Sequence, residues 1–412
     1  MSAGGAGRLA TLALARAAAA GLGFLTVLLI ARALPPEQLG RWSLALAVQG
    51  YALHLGEFGL RSVATTEAGH AGRRLPQLLG RYLGLRLALT AVTLALVAGA
   101  CVLWRPQDLA LVVLATASIL PIALQLDWLA LVDGRILLAS GLLLVRPLAF
   151  LLCVPLLPAA AGPDGVAACF LAAWMVAAAL SWVTLRRPRA HGPGVVPTAA
   201  SMLRRGGSLA AVTLGNQLQL SADLLVAGWL LGAAAAGDYW LACQVLVAGL
   251  VFANAAGQMA LARLPALSVE PSVFAGAVAG ELLRIMVVAL AAAVPALLLA
   301  PAALPLLFGA EHGGAAAALT WLLPWFVLQH ATTVLQAALI AARRDGEALR
   351  ANLLGALVLL PAMAAAAFAG SLPAFALARA AAEAARLAAL LAALWPAIGG
   401  LPRRPPQTST SA

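Results

Sequence analysis

The stretch LPPEQLGRWSLA, residues 34–45, has a counterpart in the second half of the chain. Residues 231–242 read LGAAAAGDYWLA, and the two stretches align without a gap at an offset of 197 residues. Leu, Gly, Leu and Ala coincide, and Trp42 is matched by Tyr239. Each stretch joins the first two apolar runs of its half. The match therefore predicts two repeats of six helices related by an axis along the membrane normal, which is a common transporter plan.

The composition is typical of a protein with many membrane crossings. Of the 412 residues 63% are hydrophobic and only 10% are charged, whereas a soluble protein carries about 25% charged residues. All 26 basic residues are arginine, and the net charge is +11. In a membrane protein this surplus sets orientation and attracts anionic lipids, so it does not indicate a nucleic-acid partner.

Twelve apolar runs are long enough to cross a bilayer, which takes about 20 residues as a helix. The first run is too long for a signal peptide and lacks a convincing cleavage site, so we interpret it as a crossing. The expected fold is an all-α polytopic membrane protein, with about twelve transmembrane helices in two pseudo-symmetric lobes of six. The runs are residues 9–33, 40–61, 81–104, 108–131, 137–158, 165–185, 206–231, 238–262, 282–308, 315–342, 348–369 and 373–398.

Arginine is concentrated in alternate loops. The loops after the second, sixth and tenth runs and the C-terminal tail are rich in arginine, whereas the loops after the odd-numbered runs have only Arg32, Arg41 and Arg105 in or beside them. This asymmetry predicts a multi-pass protein of the cytoplasmic membrane with both termini in the cytoplasm. The expected domains are a first lobe at 1–188, a cytoplasmic linker at 189–204, a second lobe at 205–400 and a basic cytoplasmic tail at 401–412.

The second run ends in HLGEFGLR, which is unusually polar for a membrane helix. His54, Glu57 and Arg61 are spaced to share one helix face, and Glu57 is spaced for an i,i+4 ion pair with Arg61. Such a pair either neutralises itself at the interface or lines a cavity. The offset of 197 favours a cavity between the halves, because it places Asn254 and Gln258 at the positions of Glu57 and Arg61.

Other polar residues lie inside the predicted crossings, where a central charge costs roughly 2.5–3.5 kcal/mol. Arg146 has no acid one helical turn away, so it is a candidate anion site; the alternative is a structural tie to Asp127 or to backbone carbonyls. In the seventh run Asn216, Gln219 and Asp223 share one face, and the acid has no basic neighbour in sequence. Arg16 either lines the cavity mouth or extends to the inner surface.

The remaining charged residues and the cysteines have structural explanations. Arg379, Glu383 and Arg386 in the twelfth run are expected to pair along their helix. The four cysteines lie in apolar runs without disulfide or metal-ligand spacing, so we interpret them as core residues.

The sequence also lacks the motifs of an enzyme. There is no P-loop and no HExxH motif, and the predicted outer loops are too short for a catalytic domain. We therefore expect no enzyme activity, no cofactor and no metal site.

Several stretches, in this order along the chain, resemble the Wzx-type polysaccharide-export flippases of bacteria. That family belongs to the superfamily that includes multidrug antiporters and the peptidoglycan-precursor flippase. The resemblance covers nearly the whole chain, although no single motif is diagnostic, and the chain departs from the family in lacking lysine. The stretches are FLTVLLIARALPPEQLGRWSLALAVQGYALHLGEFGLRS, LQLDWLALVDGRILLASGLLLVRPL, ADLLVAGWLLGAAAAGDYWLACQVL, RLPALS and LLFGAEHGGAAAALTWL.

The resemblance implies a V-shaped transporter that moves an undecaprenyl-pyrophosphate-linked oligosaccharide across the cytoplasmic membrane. The product would enter O-antigen, capsule or exopolysaccharide synthesis, with the pathway's polymerase and chain-length regulators as candidate partners. Alternating access would be driven by an ion gradient. The chain is also short for the superfamily, since it lacks the two extra helices of the peptidoglycan-precursor flippases, which disfavours lipid II as the substrate.

The resemblance also implies roles for particular residues. Arg146, Arg61 and Arg16 would bind the anionic part of the substrate, because a diphosphate needs arginine in a low-dielectric cleft. Two alternatives remain open, a small-molecule or multidrug cation antiporter of the same superfamily and a scaffold without transport activity. The unpaired Arg146 argues against the first, and polar residues matched between the halves argue against the second. The candidate ion-coupling residues are Glu57, Asp223 and Asp127, and the polar cavity lining is His54, Asn216, Asn254 and Gln258.

Overall fold

The structure is a computed structural model that describes residues 3–185, 195–267 and 270–398. These ranges form fifteen α-helices and contain no β-strand. In the first half the helices are α1 Ala3–Ala33, α2 Pro36–Glu57, α3 Leu60–Ala71, α4 Leu75–Trp104, α5 Leu109–Ala117, α6 Ile119–Leu124, α7 Asp127–Val132, α8 Ile136–Cys153 and α9 Gly162–Thr184. In the second half they are α10 Ala199–Leu231, α11 Ala233–Leu267, α12 Pro271–Phe308, α13 Gly313–Ala341, α14 Asp345–Ala369 and α15 Leu372–Ile398.

The described helices follow the twelve predicted crossings, with one crossing in pieces. The fourth crossing consists of α5, α6 and α7, and α3 is an additional short helix after α2. Pro121 explains part of the interruption, because it has no N–H to donate to the carbonyl of Ala117. Gln125 then adopts an extended conformation between α6 and α7. We call the end of the bundle where α2 begins the predicted outer end, and the opposite end the predicted inner end.

Nine segments of the described chain are long and apolar enough to cross a membrane by themselves. The remaining crossings, α2, α10 and α15, are more polar. Since lipid cannot solvate polar side chains, these three helices must turn their polar faces toward other helices or a water-filled space.

The pattern of helix packing repeats between the halves. In the first half α2 packs on α4 and α5, α1 on α8, and α9 on both α5 and α8. In the second half α11 packs on α12 and α13, α10 on α14, and α15 on both α13 and α14. The two lobes are therefore pseudo-symmetric, as the internal sequence match predicted.

The apolar clusters connect the two lobes at both ends of the bundle, more extensively at the predicted outer end. At the predicted outer end a single cluster contains Ile30 and Trp42 of the first lobe together with Tyr239 and Phe308 of the second. At the predicted inner end there are two clusters, one around Tyr82 of the first lobe that also includes Met202 of α10, and the other within the second lobe. At this end the α2–α3 break also lies against α10, since a Cβ atom on Gly59 would be 2.6 Å from the carbonyl oxygen of Gly206.

The contact between α2 and α11 at the predicted outer end depends on small residues. A Cβ atom added to Gly40 would lie 1.6 Å from the carbonyl oxygen of Ala233. A Cβ atom on Gly237 would lie 2.7 Å from the carbonyl oxygen of Pro36. Glycine permits this approach of two backbones, and in lipid such close packing is a main source of helix association.

Candidate functional site

Helix α2 ends inside the polar stretch that the sequence singled out. Phe58 and Gly59 have φ angles of +47° and +66°, both in the left-handed region. The amide of Phe58 still donates to the carbonyl of His54, and α3 then begins at Leu60 in a new direction. The expectation that His54, Glu57 and Arg61 share one helix face is therefore wrong, because the break rotates Arg61 away from the face of α2.

The two charged residues at this break bind other partners. Arg61 donates from Nη2 to Oδ2 of Asp127 on α7 at 2.8 Å. Glu57 accepts from Nη2 of the buried Arg86 on α4 at 3.4 Å, and Nη1 of Arg86 donates to Tyr82 Oη at 2.7 Å. The predicted Glu57–Arg61 ion pair is thus replaced by two pairs that link α2, α3, α4 and α7.

Asp223 on α10 occupies a fully buried position with a complete set of donors. Its Oδ2 accepts from Arg379 Nη1 at 2.9 Å and from Tyr239 Oη at 2.6 Å, and its Oδ1 accepts from the backbone amide of Leu224 at 2.9 Å. The guanidinium of Arg379 also lies 3.8 Å from the ring centroid of Trp325. Arg379 therefore does not pair along α15 with Glu383, as the sequence suggested, but with an acid on another helix.

A second ion pair follows one helical turn further along α15. Arg386 donates from Nη1 to Oε1 of Glu383 at 3.2 Å, which is the pairing along the helix that the sequence predicted. Thr332 also donates to Glu383, and Arg386 donates to Gln336. With its side-chain amide turned so that the nitrogen faces Glu383, Gln329 donates to both carboxylate oxygens at 3.1 Å.

These groups surround a cavity of about 250 Å³ in the second lobe. Its polar lining comes from two facing stripes at i, i+4, i+7 spacing, one on α13 and one on α15, and from amides on α10 and α11. The lining residues are Asn216, Gln219, Leu220, Asn254, Trp325, Gln329, Thr333, Gln336, Leu359, Arg379, Ala382, Glu383 and Arg386.

Two of the predicted site residues lie in this cavity and the others lie elsewhere. Asn216 and Asn254 are exposed along its wall. Asp223 lies behind Arg379 and does not line the cavity, and the side chain of Gln258 is outside the described part of the chain. The other predicted residues belong to the first lobe and are Arg16, His54, Glu57, Arg61, Asp127 and Arg146.

Arg146 is the least satisfied of the predicted cations. Its guanidinium lies 4.9 Å from the ring centroid of Trp174 on α9, a cation–π contact. Among the described residues it has no hydrogen bond and no ion pair, so the alternative of a tie to Asp127 does not hold. Arg16 lies on an exposed part of α1.

The predicted site residues leave out most of the polar residues that the structure brings to these sites. Arg86 is not among them, although it lies eleven residues after the start of α4 and within an apolar run. Arg379, Gln329 and Gln336 were not among the predicted site residues. Their depth inside an apolar run was the available signal, since a polar group there needs a partner or water.

The cysteines also differ from expectation. Cys153 at the end of α8 and Cys169 near the start of α9 form a disulfide, with their Cα atoms 5.8 Å apart. The expectation that all four cysteines are free core residues is therefore wrong for these two. The structure brings together residues that are 16 positions apart, because α8 and α9 are antiparallel neighbours. No group of three or more metal-ligating side chains occurs among the described residues.

Comparison with known proteins identifies the family of this chain. The sequence profile of the polysaccharide biosynthesis protein family matches residues 8–268, which is more than half of the chain. The chain belongs to the polysaccharide biosynthesis protein family. The matched residues of this family member include the first lobe from residue 8 onward, the charged groups around the α2–α3 break, and helices α10 and α11. A search among curated proteins finds no match.

Solved structures with the same fold are transporters. Lipid II flippase MurJ in its inward closed conformation has a TM-score of 0.74 at 10% identity, covering 93% of this chain and 87% of MurJ. A multidrug resistance MATE transporter of the MOP superfamily, facing inward, has a TM-score of 0.69 at 14% identity, with 93% and 96% coverage. A point mutant of the Vibrio cholerae MATE transporter VcmN has a TM-score of 0.60 at 16% identity, with 94% and 97% coverage. These likenesses establish the fold of this polysaccharide biosynthesis protein as that of a multi-pass membrane transporter.

Proposed function

We propose that this protein flips an undecaprenyl-pyrophosphate-linked oligosaccharide across the cytoplasmic membrane. The observation that carries the proposal is the match to the polysaccharide biosynthesis protein family over residues 8–268. The two-lobe fold supports it, because two pseudo-symmetric lobes of six helices are a common plan for alternating access. In this proposal the protein is a transporter and not an enzyme, both termini are cytoplasmic, and the polymerase and chain-length regulators of the pathway are partners.

Arg146 is the strongest candidate for binding the pyrophosphate. A guanidinium within the membrane whose only partner among the described residues is an aromatic ring retains its full capacity to donate to a phosphate. Arg61 is a second candidate, since one third of its side chain is exposed despite the pair with Asp127. Arg16, exposed on α1, is a weaker third.

Glu57 is the best candidate for coupling transport to an ion gradient. Its side chain is 23% exposed and its contact with Arg86 is long at 3.4 Å, so a proton or cation can compete for the carboxylate. Asp127 is less exposed at 14% and is held by Arg61 at 2.8 Å. Asp223 is the least suited of the three, because Arg379, Tyr239 and a backbone amide already satisfy it.

Deletion of the gene followed by lipid extraction tests the proposal. Without the flippase, undecaprenyl-pyrophosphate-linked repeat units should accumulate on the cytoplasmic face of the membrane and surface glycan should fall. Unchanged lipid intermediates would overturn the proposal. Restoration of both phenotypes by the wild-type gene on a plasmid is the control against effects on neighbouring genes.

A small-molecule cation antiporter is the second candidate, and the likeness to multidrug MATE structures favours it. An antiporter for organic cations needs acids in its cavity without competing cations. The carboxylates described above are instead paired with arginine, which argues against it. Drug susceptibility of the deletion strain distinguishes the two functions, because loss of an antiporter should sensitise cells to cationic drugs while lipid intermediates stay constant.

A further inference from the structure

We propose that the cavity of the second lobe is a binding site for an uncharged sugar residue of the transported glycan. This inference rests on the proposed function and adds to it a division of the substrate between the lobes. The sugar would enter the cavity between α10, α11, α13 and α15, while the pyrophosphate stays with the arginines of the first lobe. The argument comes from the charge, the free hydrogen-bonding groups and the size of the cavity.

The charges in the cavity wall are already balanced. Arg379 is paired with Asp223 at 2.9 Å, and Arg386 is paired with Glu383 at 3.2 Å. All four side chains are more than nine-tenths buried. A pyrophosphate needs cations that are not already neutralised, and breaking a buried ion pair leaves its partner uncompensated at high cost. The cavity is therefore unsuited to the anionic part of the substrate.

The hydrogen-bonding groups that remain available are neutral amides. Among the described residues, the side chains of Asn216 on α10 and Asn254 on α11 have no hydrogen-bond partner, and both are exposed along the wall. Each carboxamide offers two donor hydrogens and one acceptor oxygen. Hydroxyl and acetamido groups of a sugar are also donors and acceptors at once, so these amides match them without any net charge.

The shape of the cavity fits the same ligand. Its volume of about 250 Å³ equals that of roughly eight waters at about 30 Å³ each, which is enough for one sugar ring. Leu220 and Leu359 add an apolar surface beside the polar stripes of α13 and α15. A pyranose ring presents C–H groups on its faces and hydroxyls at its rim, so a wall of mixed polarity suits it.

Binding of two lipids to the full-length protein tests this inference. The probes are undecaprenyl pyrophosphate alone and undecaprenyl-pyrophosphate-linked N-acetylglucosamine, measured by native mass spectrometry of the purified wild-type protein and its variants. The test variant is the double substitution Asn216→Leu and Asn254→Leu, which removes amides that support no contact in the described part of the fold. The control variant is Gln125→Leu, which removes an amide of the first lobe outside the cavity.

We expect the wild-type protein to bind the sugar-bearing lipid about tenfold more tightly than the bare lipid, as a few additional hydrogen bonds would give. The double variant should lose this preference and keep its affinity for the bare lipid, whereas the Gln125→Leu variant should keep both. Equal binding of the two lipids by the wild type would overturn the inference, and so would an equal loss of both lipids in the double variant. If the wild type binds neither lipid, the proposed function itself fails, which is a different result from loss of the sugar preference alone.

Discussion

Gly40 and Gly237 occupy equivalent positions in the two repeats, and each lies against the backbone of the other repeat. The added Cβ of Gly40 would meet the carbonyl oxygen of Ala233 at 1.6 Å, and that of Gly237 would meet the carbonyl oxygen of Pro36 at 2.7 Å. The two glycines are 197 residues apart, and so are Pro36 and Ala233, which is the offset that the sequence match gave. The pseudo-twofold axis therefore passes through this contact, at the point where the lobes must separate if the predicted outer end is to open.

Substitution of Gly40 by alanine should prevent the predicted outer end from closing. A methyl group at this position has no space, although alanine is otherwise the better helix residue by about 1 kcal/mol. We expect flipping of a fluorescent lipid-linked sugar in proteoliposomes to fall by at least about tenfold, since a shift of only about 1.4 kcal/mol between the two conformations is enough. Gly21→Ala is the matched control, because a Cβ on Gly21 has open space. Wild-type transport by the Gly40→Ala variant would show that this contact does not close the transporter.

Substitution of Arg379 by methionine should strongly destabilise the second lobe. Removing one member of a buried ion pair typically costs about 3–5 kcal/mol, since it leaves Asp223 buried with an uncompensated charge. Thermal unfolding of the purified protein should show the loss as a lower midpoint. The double variant Arg379→Met with Asp223→Asn should recover part of it. Equal midpoints of the single and double variants would contradict a direct coupling between these two residues.

Arg146→Ala should abolish glycan export without lowering the amount of protein in the membrane. The guanidinium makes no hydrogen bond or ion pair among the described residues, so its removal costs the fold little beyond the contact with Trp174. Surface glycan and membrane levels of the protein are the two measurements. Trp174→Leu is the control, because it removes the same contact and keeps the cation. Normal glycan in the Arg146→Ala strain would remove Arg146 from the anion site.

Glu57→Gln should uncouple transport from the ion gradient and preserve substrate binding. Glutamine keeps an acceptor for Arg86 but carries no exchangeable charge. Flipping in proteoliposomes with and without an imposed proton or sodium gradient measures the effect. The wild type should respond to one of the gradients, and the variant should give the same slow rate in both conditions. Asp223→Asn serves for comparison, and a gradient response that survives in Glu57→Gln and disappears in Asp223→Asn would move the coupling site to the second lobe.

The disulfide between Cys153 and Cys169 should form in cells and tests the predicted orientation. Both cysteines lie toward the predicted outer end, and structural disulfides persist in oxidising compartments such as the periplasm. Alkylation of the protein under denaturing conditions, before and after reduction, followed by mass spectrometry, should show these two thiols protected until reduction. Cys101 and Cys243, which are free in the structure, are the internal controls. Full labelling of Cys153 without reduction would count against an outward position of this end.

The sequence alone determined the class of fold, because hydropathy and internal repetition are properties of the linear chain. Twelve apolar runs separated by short breaks predict the crossings, and the 197-residue offset predicts the pseudo-symmetry that Gly40 and Gly237 display. The arginine asymmetry predicts the orientation in the membrane, which stays a prediction. Each of these inferences compares residues that are close in sequence or that lie at a constant offset along the chain. None of them requires knowledge of tertiary packing.

Only the tertiary structure decided which charged side chains form ion pairs with each other. Glu57 and Arg61 have the spacing of a helical ion pair, but the left-handed conformation of Phe58 and Gly59 breaks the helix between them. Asp223 and Arg379 are 156 residues apart and meet because α10 and α15 pack together. A helix rule describes neighbours within one helix, whereas a charge buried in a bundle takes its partner from whichever helix is adjacent, and that choice is made by packing.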